Sequence, residues 1–331
     1  MKTVYKLGGI WKCCLDEKDL GVQENWQEQK LAGSDVRIPG TTAENKLGKA
    51  LQPEIALNKE NVRCLRENYK YLGAAWYQTT FEVKEPLEGK RGILFLERVM
   101  FGSTVWIDGV LVGKGDSLSA PHRFDITDQI RPGEKQLLTI RVDNRDIHEI
   151  GPYPSAYTDE TQTIWNGITG AVELQLEDEV SIKGVVMQLH AEQRKLKLEF
   201  DLDGQVGEAD HVKLILDGAV LEIKNLSEEK QKRHVQIETF LPEYILYWEE
   251  ANPQLYDMAI ELEKADGECT GRWERKTGFR EFRAENREIR NNGKPVFLRG
   301  NIDCCVYPKT GHPPMDTDSW EKICAVTKEY G

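Results

Sequence analysis

Apolar and polar residues alternate with a period of two along most of this chain, a pattern typical of β-strands. Leu138, Ile140 and Val142 alternate with polar or charged neighbours, which predicts one strand face in a core and the other in water. Asp108-Gly109 stands between two apolar runs and predicts a two-residue hairpin turn. Many short strands over residues 76–172, with no helical periodicity between them, predict a β-sandwich of the jelly-roll kind.

A second region of alternation begins near Val180. The alternating apolar positions predict a strand at Leu196, Leu198, Phe200 and Leu202, and Asp217-Gly218 predicts another tight hairpin. About seven strands in about 100 residues fit an immunoglobulin-like sandwich that lacks the paired cysteines of antibody domains.

The pattern changes after Gly278. Asn291-Asn292-Gly293 is a turn signal, and the apolar run 295–300 predicts a short strand buried on both faces, as in parallel sheets. Asp316 and Asp318 are candidate N-caps for a helix that follows. The chain therefore closes on one β-α unit.

One β-α unit cannot bury its own strand. We therefore expect the chain to end inside a domain and to expose apolar surface around Val296, Phe297, Leu298 and the helix residue Ile323.

The bulk composition narrows the class of protein. A chain of 331 residues predicts two or three domains, and a net charge of -12 disfavours nucleic acid and anionic membranes as partners. No apolar stretch reaches the roughly 18 residues of a membrane span, and the start lacks a secretory h-region. The seven cysteines show no zinc spacing and predict reduced, mostly buried thiols. We expect a cytoplasmic location, with a periplasmic or secreted one left open if a leader was removed.

Six motifs stand in a defined order along the chain. They are Trp76-Tyr77, the Val105-Trp106-Ile107-Asp108-Gly109 hairpin, Pro121 to Thr127, Trp165-Asn166-Gly167-Ile168, Trp248 with Asn252-Pro253-Gln254-Leu255-Tyr256, and Asn292-Gly293-Lys294-Pro295. Together they resemble motifs of the glycoside hydrolases of family 2, which include β-galactosidases, β-glucuronidases and β-mannosidases. Trp76-Tyr77 resembles the opening of the family's sugar-binding sandwich, and Asn292-Gly293-Lys294-Pro295 resembles the lead into its catalytic barrel.

The resemblance implies an architecture and an activity. The expected domains are a galactose-binding-like jelly roll at 1–178, an immunoglobulin-like sandwich at 179–278, and the start of a truncated TIM barrel at 279–331. The activity implied is retaining hydrolysis of β-linked glycosides by two glutamates, of which the acid/base follows an Asn. No Asn-Glu dipeptide occurs in the 331 residues, so no catalytic residue is assigned here. The expected partner is an oligosaccharide or glycoside, without cofactor or metal, and a homo-oligomer of the full-length enzyme stays open.

Two positions depart from the family pattern. Gly170 stands where family members usually carry an Arg, and Cys304 stands where many carry a substrate-facing His. These departures indicate a divergent subfamily.

The candidate substrate-binding residues come from two parts of the chain. Asp303, Cys304 and Cys305 follow the predicted barrel strand and should face the pocket, because function collects at the carboxyl ends of barrel strands. For the two cysteines, packing beneath a loop is the alternative. His312 lies in the loop after them, and packing within that loop is the alternative.

In the sandwich, Asp159 matches the position of a carboxylate near the substrate in galactosidase-like relatives, with a solvated acidic loop as the alternative. Trp165 is a candidate sugar platform or a core residue. We assign Trp76 and Trp106 to structure and expect His122 to pack in a turn rather than at the site edge.

A different class of function remains open on these residues: a stand-alone, non-catalytic carbohydrate-binding protein built from two sandwiches. The predicted buried strand at 295–300 argues for the enzyme, because a binding module has no use for an unfinished barrel.

Overall fold

The computed structural model describes residues 3–50, 69–117, 119–146, 148–151, 157, 164–207, 210–226, 233–300, 302 and 313–330. The chain divides into two compact units, one built mainly from residues 3–176 and the other mainly from 177–300.

The described part of the first unit consists of short β-strands, as predicted for residues 76–172. They are β1 (Thr3–Lys6), β2 (Gly9–Asp16), β3 (Ser34–Ile38), β4 (Gly40–Thr41), β5 (Lys49–Ala50), β6 (Tyr69–Lys70), β7 (Ala74–Glu82), β8 (Lys90–Leu96), β9 (Val99–Met100), β10 (Gly102–Ile107), β11 (Val110–Gly115), β12 (His122–Asp125), β13 (Lys135–Asp143), β14 (Gly167–Ile168) and β15 (Val172–Asp178). Two short 3-10 turns lie at Trp26–Glu28 and Thr127–Gln129.

Two antiparallel sheets enclose the core of this unit. One has the order β11-β10-β13-β7-β2-β3 and the other the order β1-β15-β8-β12. Leu138 and Ile140 from the first sheet and Leu94 and Leu174 from the second belong to one buried cluster. The predicted sandwich is confirmed, and a small third sheet, β4-β14-β9, lies beside it.

The predicted hairpin turns are confirmed by their backbone angles. Asp108 and Gly109 between β10 and β11 have φ values of 48° and 80°, the left-handed pair that a type I′ turn requires. The side-chain oxygens of Asp108 also accept hydrogen bonds from Leu137 N at 2.8 Å and Gln136 Nε2 at 2.9 Å. The turn is therefore held against the neighbouring strand β13.

The prediction that the second face of β13 lies in water is wrong for its middle. Thr139 is fully buried, because the chain between β2 and β3 folds over this face. Gln78 Nε2 donates to the Gln29 carbonyl at 2.7 Å, and Trp76 stacks on Trp106 with ring centroids 5.1 Å apart. The structural assignment of both tryptophans is confirmed.

The described residues of the second unit form seven strands of a sandwich, as predicted. They are β16 (Ser181–His190), β17 (Lys195–Asp203), β18 (His211–Leu216), β19 (Ala219–Asn225), β20 (His234–Phe240), β21 (Tyr256–Glu263) and β22 (Cys269–Thr277), with a 3-10 turn at Ala191–Gln193. Two sheets of orders β16-β17-β20 and β19-β18-β21-β22 enclose a core that includes Leu198, Phe200 and Ile260.

Three further strands follow in the same unit: β23 (Phe282–Glu285), β24 (Glu288–Asn291) and β25 (Lys294–Val296). They pair antiparallel in this order, so the prediction of a parallel-type strand buried on both faces at 295–300 is wrong for this chain. Phe297 and Leu298 are 87% and 57% exposed because no element of the described chain covers them. The expected apolar surface is therefore confirmed for Phe297 and Leu298, whereas Val296 is half-buried.

A single regular α-helix, α1 (Thr317–Glu329), is found among the described residues. Asp316 is its N-cap, with a carboxylate oxygen accepting from Ser319 N at 2.7 Å, as one of the two candidates predicted. Trp320, Ile323 and Val326 are 38–45% exposed. No helix in the described ranges is long and apolar enough to span a membrane.

The four cysteines in the described part of the chain are free. Cys13 lies in the core, where burial raises the pKa of its thiol to about 12. Cys269 and Cys324 are exposed, so the expectation of mostly buried thiols is met by only part of this set. The fold of the first sandwich explains Cys13, whose strand β2 faces the core at that position.

Candidate functional site

The connection from β13 to β14 carries two predicted substrate-binding residues, Asp159 and Trp165. Its ends lie side by side, because Asn144 Nδ2 donates to the Trp165 carbonyl oxygen at 3.0 Å. The same nitrogen donates to the Tyr71 carbonyl at 3.0 Å, while Asn144 Oδ1 accepts from Gly73 N at 2.9 Å. Asn144 is 1% exposed, so this buried amide closes residues 145–164 into a loop.

A second buried asparagine supports the same junction. Asn166 Nδ2 donates to the Gly73 carbonyl at 3.0 Å, and the Asn166 carbonyl accepts from Thr42 N at 2.8 Å. Gly73 has φ 144°, a conformation that favours glycine, and both of its main-chain polar groups are held by asparagine side chains. Asn144, Trp165 and Asn166 form the neck of the loop, and Gly73 holds this neck to the sandwich.

A small apolar cluster lies at the base of the loop. Met100, Phe101 and Tyr157 are buried, and the rings of Phe101 and Tyr157 have centroids 4.9 Å apart. Trp165 packs against this cluster and is half-buried. Its structural contact is therefore established, while its contact with a sugar stays a prediction.

Tyr157 also makes polar contacts within the loop. Its hydroxyl donates to the Asp146 carboxylate, and its oxygen accepts from His148 N at 3.4 Å. The hydrogen bond from Tyr157 is the main reason that the pKa of Asp146 is lowered. Asp159 follows Tyr157 by two residues in the sequence.

An ion network lies beside the neck. Arg141 Nη2 is 2.7 Å from Asp19 Oδ1 and 2.9 Å from Asp143 Oδ2, and Arg145 Nη2 is 2.7 Å from Asp19 Oδ2. Burial alone would raise the pKa of Asp143, but hydrogen bonds from Arg145 and the charges of both arginines outweigh burial and lower it. The network connects β13 to the chain after β2.

A cleft of about 410 Å³ lies beside this ion network, over strands β10, β11 and β13. Hydrogen-bonding side chains line it: Ser103, Thr104, Lys114, Asp116, Arg141 and Asp143. His148 Nε2 lies 2.9 Å from the Asp116 carbonyl oxygen, which places the start of the loop at the rim of the cleft.

His122 lies at the start of β12 rather than in the expected turn, and it packs inside the protein. It is 4% exposed, and its Nδ1 and Nε2 lie 2.7 Å from Ser103 Oγ and 3.1 Å from the Ser117 carbonyl oxygen. With both ring nitrogens engaged inside the protein, His122 is a structural residue.

Gly170 leaves no room for the arginine that family members usually carry. A Cβ at this position would lie 2.6 Å from Arg98 N and 2.8 Å from Glu97 Cβ. Gly170 N also donates to the Arg98 carbonyl at 3.3 Å. The close approach of these two backbone segments accounts for glycine here.

The remaining predicted site residues lie outside the described residues: Asp159, Asp303, Cys304, Cys305 and His312. Their roles stay predictions. No group of three or more His, Cys, Asp or Glu side chains suited to a metal ion occurs within the described ranges.

Sequence reasoning missed the asparagine neck. Asn144 and Asn166 frame the loop, but their partners Tyr71 and Gly73 are distant in sequence. The one local signal was the position of Asn144 at the end of β13, where strand alternation stops.

Residues 4–177 match the family description "Glycosyl hydrolases family 2, sugar binding domain", and residues 175–280 match "Glycosyl hydrolases family 2". The chain belongs to glycosyl hydrolase family 2.

Individual relatives agree with this assignment. The chain is 27% identical over 261 residues to a β-galactosidase of Thermoanaerobacter pseudethanolicus, covering 74% of this chain and 33% of the relative. It is 21% identical over 309 residues to a β-glucuronidase of Paenibacillus borealis, covering 90% of this chain and 49% of the relative.

The fold also matches the crystal structure of the β-glucuronidase of Ruminococcus gnavus. The TM-score is 0.67 at 17% identity, covering 90% of this chain and 49% of the other. The chain thus spans between a third and a half of the length of these relatives.

Proposed function

We propose that the whole protein hydrolyses the O-glycosidic bonds of β-linked sugars and that this chain supplies part of its substrate-binding surface. Family membership supports a glycosidase, and the names of the relatives, β-galactosidase and β-glucuronidase, support β-linked sugars. The glutamates of the retaining mechanism, with carboxyl groups about 5–5.5 Å apart, would lie beyond residue 331.

The observation that carries this chain's part of the proposal is the closed neck between Asn144 and Trp165. A loop whose ends are hydrogen-bonded and whose base packs on an apolar cluster loses less conformational freedom when it binds a ligand. Asp159 belongs to this loop, and a carboxylate can accept hydrogen bonds from sugar hydroxyls. The loop that carries this acceptor would therefore start from ends that are already fixed on the sandwich.

The second contribution would come from the segment after Gly300. Asp303, Cys304 and Cys305, which follow the antiparallel hairpin of β24 and β25 in the sequence, would contact the substrate, with His312 a few residues further on. A carboxylate at 303 would accept from sugar hydroxyls, and the small thiols would serve as weak contacts.

The test uses the whole protein and aryl β-galactosides and β-glucuronides. Asp159→Ala should lower kcat/KM by about 10- to 150-fold, since a charged hydrogen bond contributes roughly 1.5–3 kcal/mol. Asp128→Ala is the matched control, because Asp128 is an exposed aspartate of the same sandwich. Equal kinetics of both variants would remove Asp159 from the site.

The carbohydrate-binding alternative has a distinct outcome. If the whole protein binds oligosaccharides but turns over none of the aryl β-glycosides, the glycosidase proposal is wrong and a binding role replaces it.

A further inference from the structure

Asn292 makes three hydrogen bonds from a single turn. It stands between β24 and β25, where Asn292 and Gly293 have φ values of 51° and 79°. Its main-chain N donates to the Glu281 carbonyl at 2.8 Å, and its Oδ1 accepts from Glu281 N at 2.9 Å. Its Nδ2 donates to the Trp248 carbonyl at 3.0 Å. The turn is thus hydrogen-bonded to two earlier segments of the chain, at Glu281 and at Trp248.

The two segments that bond to Asn292, at Trp248 and at Glu281, are themselves held in place. Trp248 N donates to the carbonyl of Phe279, a residue buried in the core of the second sandwich. The Arg280 guanidinium lies over the Trp248 ring at 5.0 Å and over the Phe282 ring at 5.8 Å. The turn is therefore joined, through Trp248, to a residue of the sandwich core.

The side-chain hydrogen bonds of Asn292 are separate from the main-chain hydrogen bonds that form the hairpin. The ladder of β24 with β25 pairs Ile289 with Val296 and Asn291 with Lys294, and it does not use the Asn292 side chain. Glycine adopts a positive φ as readily as a negative one, so the turn itself does not need asparagine. Removing the side chain should leave the hairpin formed but without its hydrogen bonds to Glu281 N and to the Trp248 carbonyl.

We propose that Asn292 is a positioning residue of the enzyme: it sets the place from which the chain leaves β25 toward the segment after Gly300. Only four residues separate β25 from Asn301, so a hairpin without these hydrogen bonds would shift the point at which the following segment begins. This inference rests on the proposed function, in which Asp303 contacts the substrate.

The neighbouring hairpin offers a matched control. Asn286, between β23 and β24, has φ 49° in a turn of the same kind, is exposed, and makes no side-chain hydrogen bond in the described structure. Asn286→Gly therefore repeats the backbone change of Asn292→Gly without removing a side-chain hydrogen bond.

The experiment measures hydrolysis of an aryl β-glycoside by the whole protein. Asn292→Gly should lower kcat/KM by about 10-fold, mainly in kcat, because a small displacement of a binding group costs rate. Asn286→Gly should stay within about 2-fold of the wild type, as expected of exposed sites. Asn292→Asp keeps the Oδ1 acceptor for Glu281 N and places a carboxylate oxygen against the Trp248 carbonyl, so it should also lower kcat/KM, and it decides the question if Asn292→Gly does not fold.

A double-mutant cycle with Asp303→Ala separates positioning from general loss of structure. If Asn292 acts through Asp303, Asn292→Gly should cost less than about 2-fold in the Asp303→Ala background, because contacting or coupled residues are non-additive. The same 10-fold loss in both backgrounds, or equal effects of Asn292→Gly and Asn286→Gly, would overturn the inference. A wild-type protein without glycosidase activity would instead defeat the proposed function.

Discussion

The side-chain nitrogen of Asn144 and the main-chain carbonyl oxygen of Trp165 lie 3.0 Å apart and join the two ends of the connection between β13 and β14. Asn144 is buried, and the same side-chain nitrogen also donates to the Tyr71 carbonyl. A loop closed in this way has a fixed origin on the sandwich, which is what a substrate-binding loop needs.

The first prediction concerns this neck. Asn144→Ala should lower the free energy of unfolding by about 2–4 kcal/mol, because it leaves buried partners on Tyr71, Gly73 and Trp165 without hydrogen bonds. Asn225→Ala, an exposed asparagine at the end of β19, should change it by less than about 0.5 kcal/mol. Urea unfolding of both variants checks the difference, and equal midpoints would mean that the neck contributes no stability.

The ion network predicts a pH dependence of stability. The pKa of Asp143 is lowered in the folded protein from its usual value of 3.8, so its contribution is present above about pH 4 and is lost as the pH falls through the lowered pKa. Asp143→Asn should therefore cost about 1–2 kcal/mol at pH 7 and progressively less below pH 4. Unfolding at pH 7, 4 and 3 measures this cost.

Asp128→Asn is the control for that series, since Asp128 is exposed and has no partner in the described structure. It should be neutral at every pH. A cost of Asp143→Asn that is the same at pH 7 and pH 3 would show that packing, not charge, explains the residue.

A third prediction isolates the hydroxyl of Tyr157. Tyr157→Phe keeps the ring on Phe101 and removes the hydrogen bond that lowers the pKa of Asp146. The pKa of Asp146 should then rise toward its usual value, which carbon-detected NMR titration can follow. Tyr5→Phe, whose hydroxyl accepts from Lys84 N in another part of the sandwich, should leave it unchanged. No movement of the Asp146 pKa in Tyr157→Phe would refute the contact.

The exposed apolar residues after β25 lead to a fourth prediction. Phe297 and Leu298 are largely exposed, and contiguous apolar surface promotes association and dye binding. Replacing both by serine should lower the fluorescence of a hydrophobic dye bound to this 331-residue chain. Replacing Val220 and Ile223 of β19, which are similarly exposed on the second sandwich, tests whether any apolar pair does the same. Unchanged fluorescence in the Phe297 and Leu298 variant would indicate that this surface is covered.

Local chemistry made much of the fold predictable. Asp108-Gly109 could be identified as a turn because both residues adopt positive φ, and Leu198 could be placed in a core because its neighbours alternate in polarity. Asp316 could be named as an N-cap because a short acidic side chain satisfies the first free N–H groups.

Features set by distant partners could not be predicted. Thr139 is buried by the chain after β2, which alternation within β13 does not reveal. β25 pairs antiparallel with β24, and an apolar run alone does not identify the strand beside it. The same limit hid the neck, since Asn144 bonds to Tyr71 and Gly73 across the sandwich.

The most direct test of the account is the stereochemistry of hydrolysis by the whole protein. An aryl β-glycoside in a buffer of D₂O is followed by proton NMR from the first minutes, before the free sugar mutarotates. A retaining two-carboxylate mechanism predicts that the β-anomer accumulates first. Accumulation of the α-anomer, or no turnover of any β-glycoside, would contradict the proposed function.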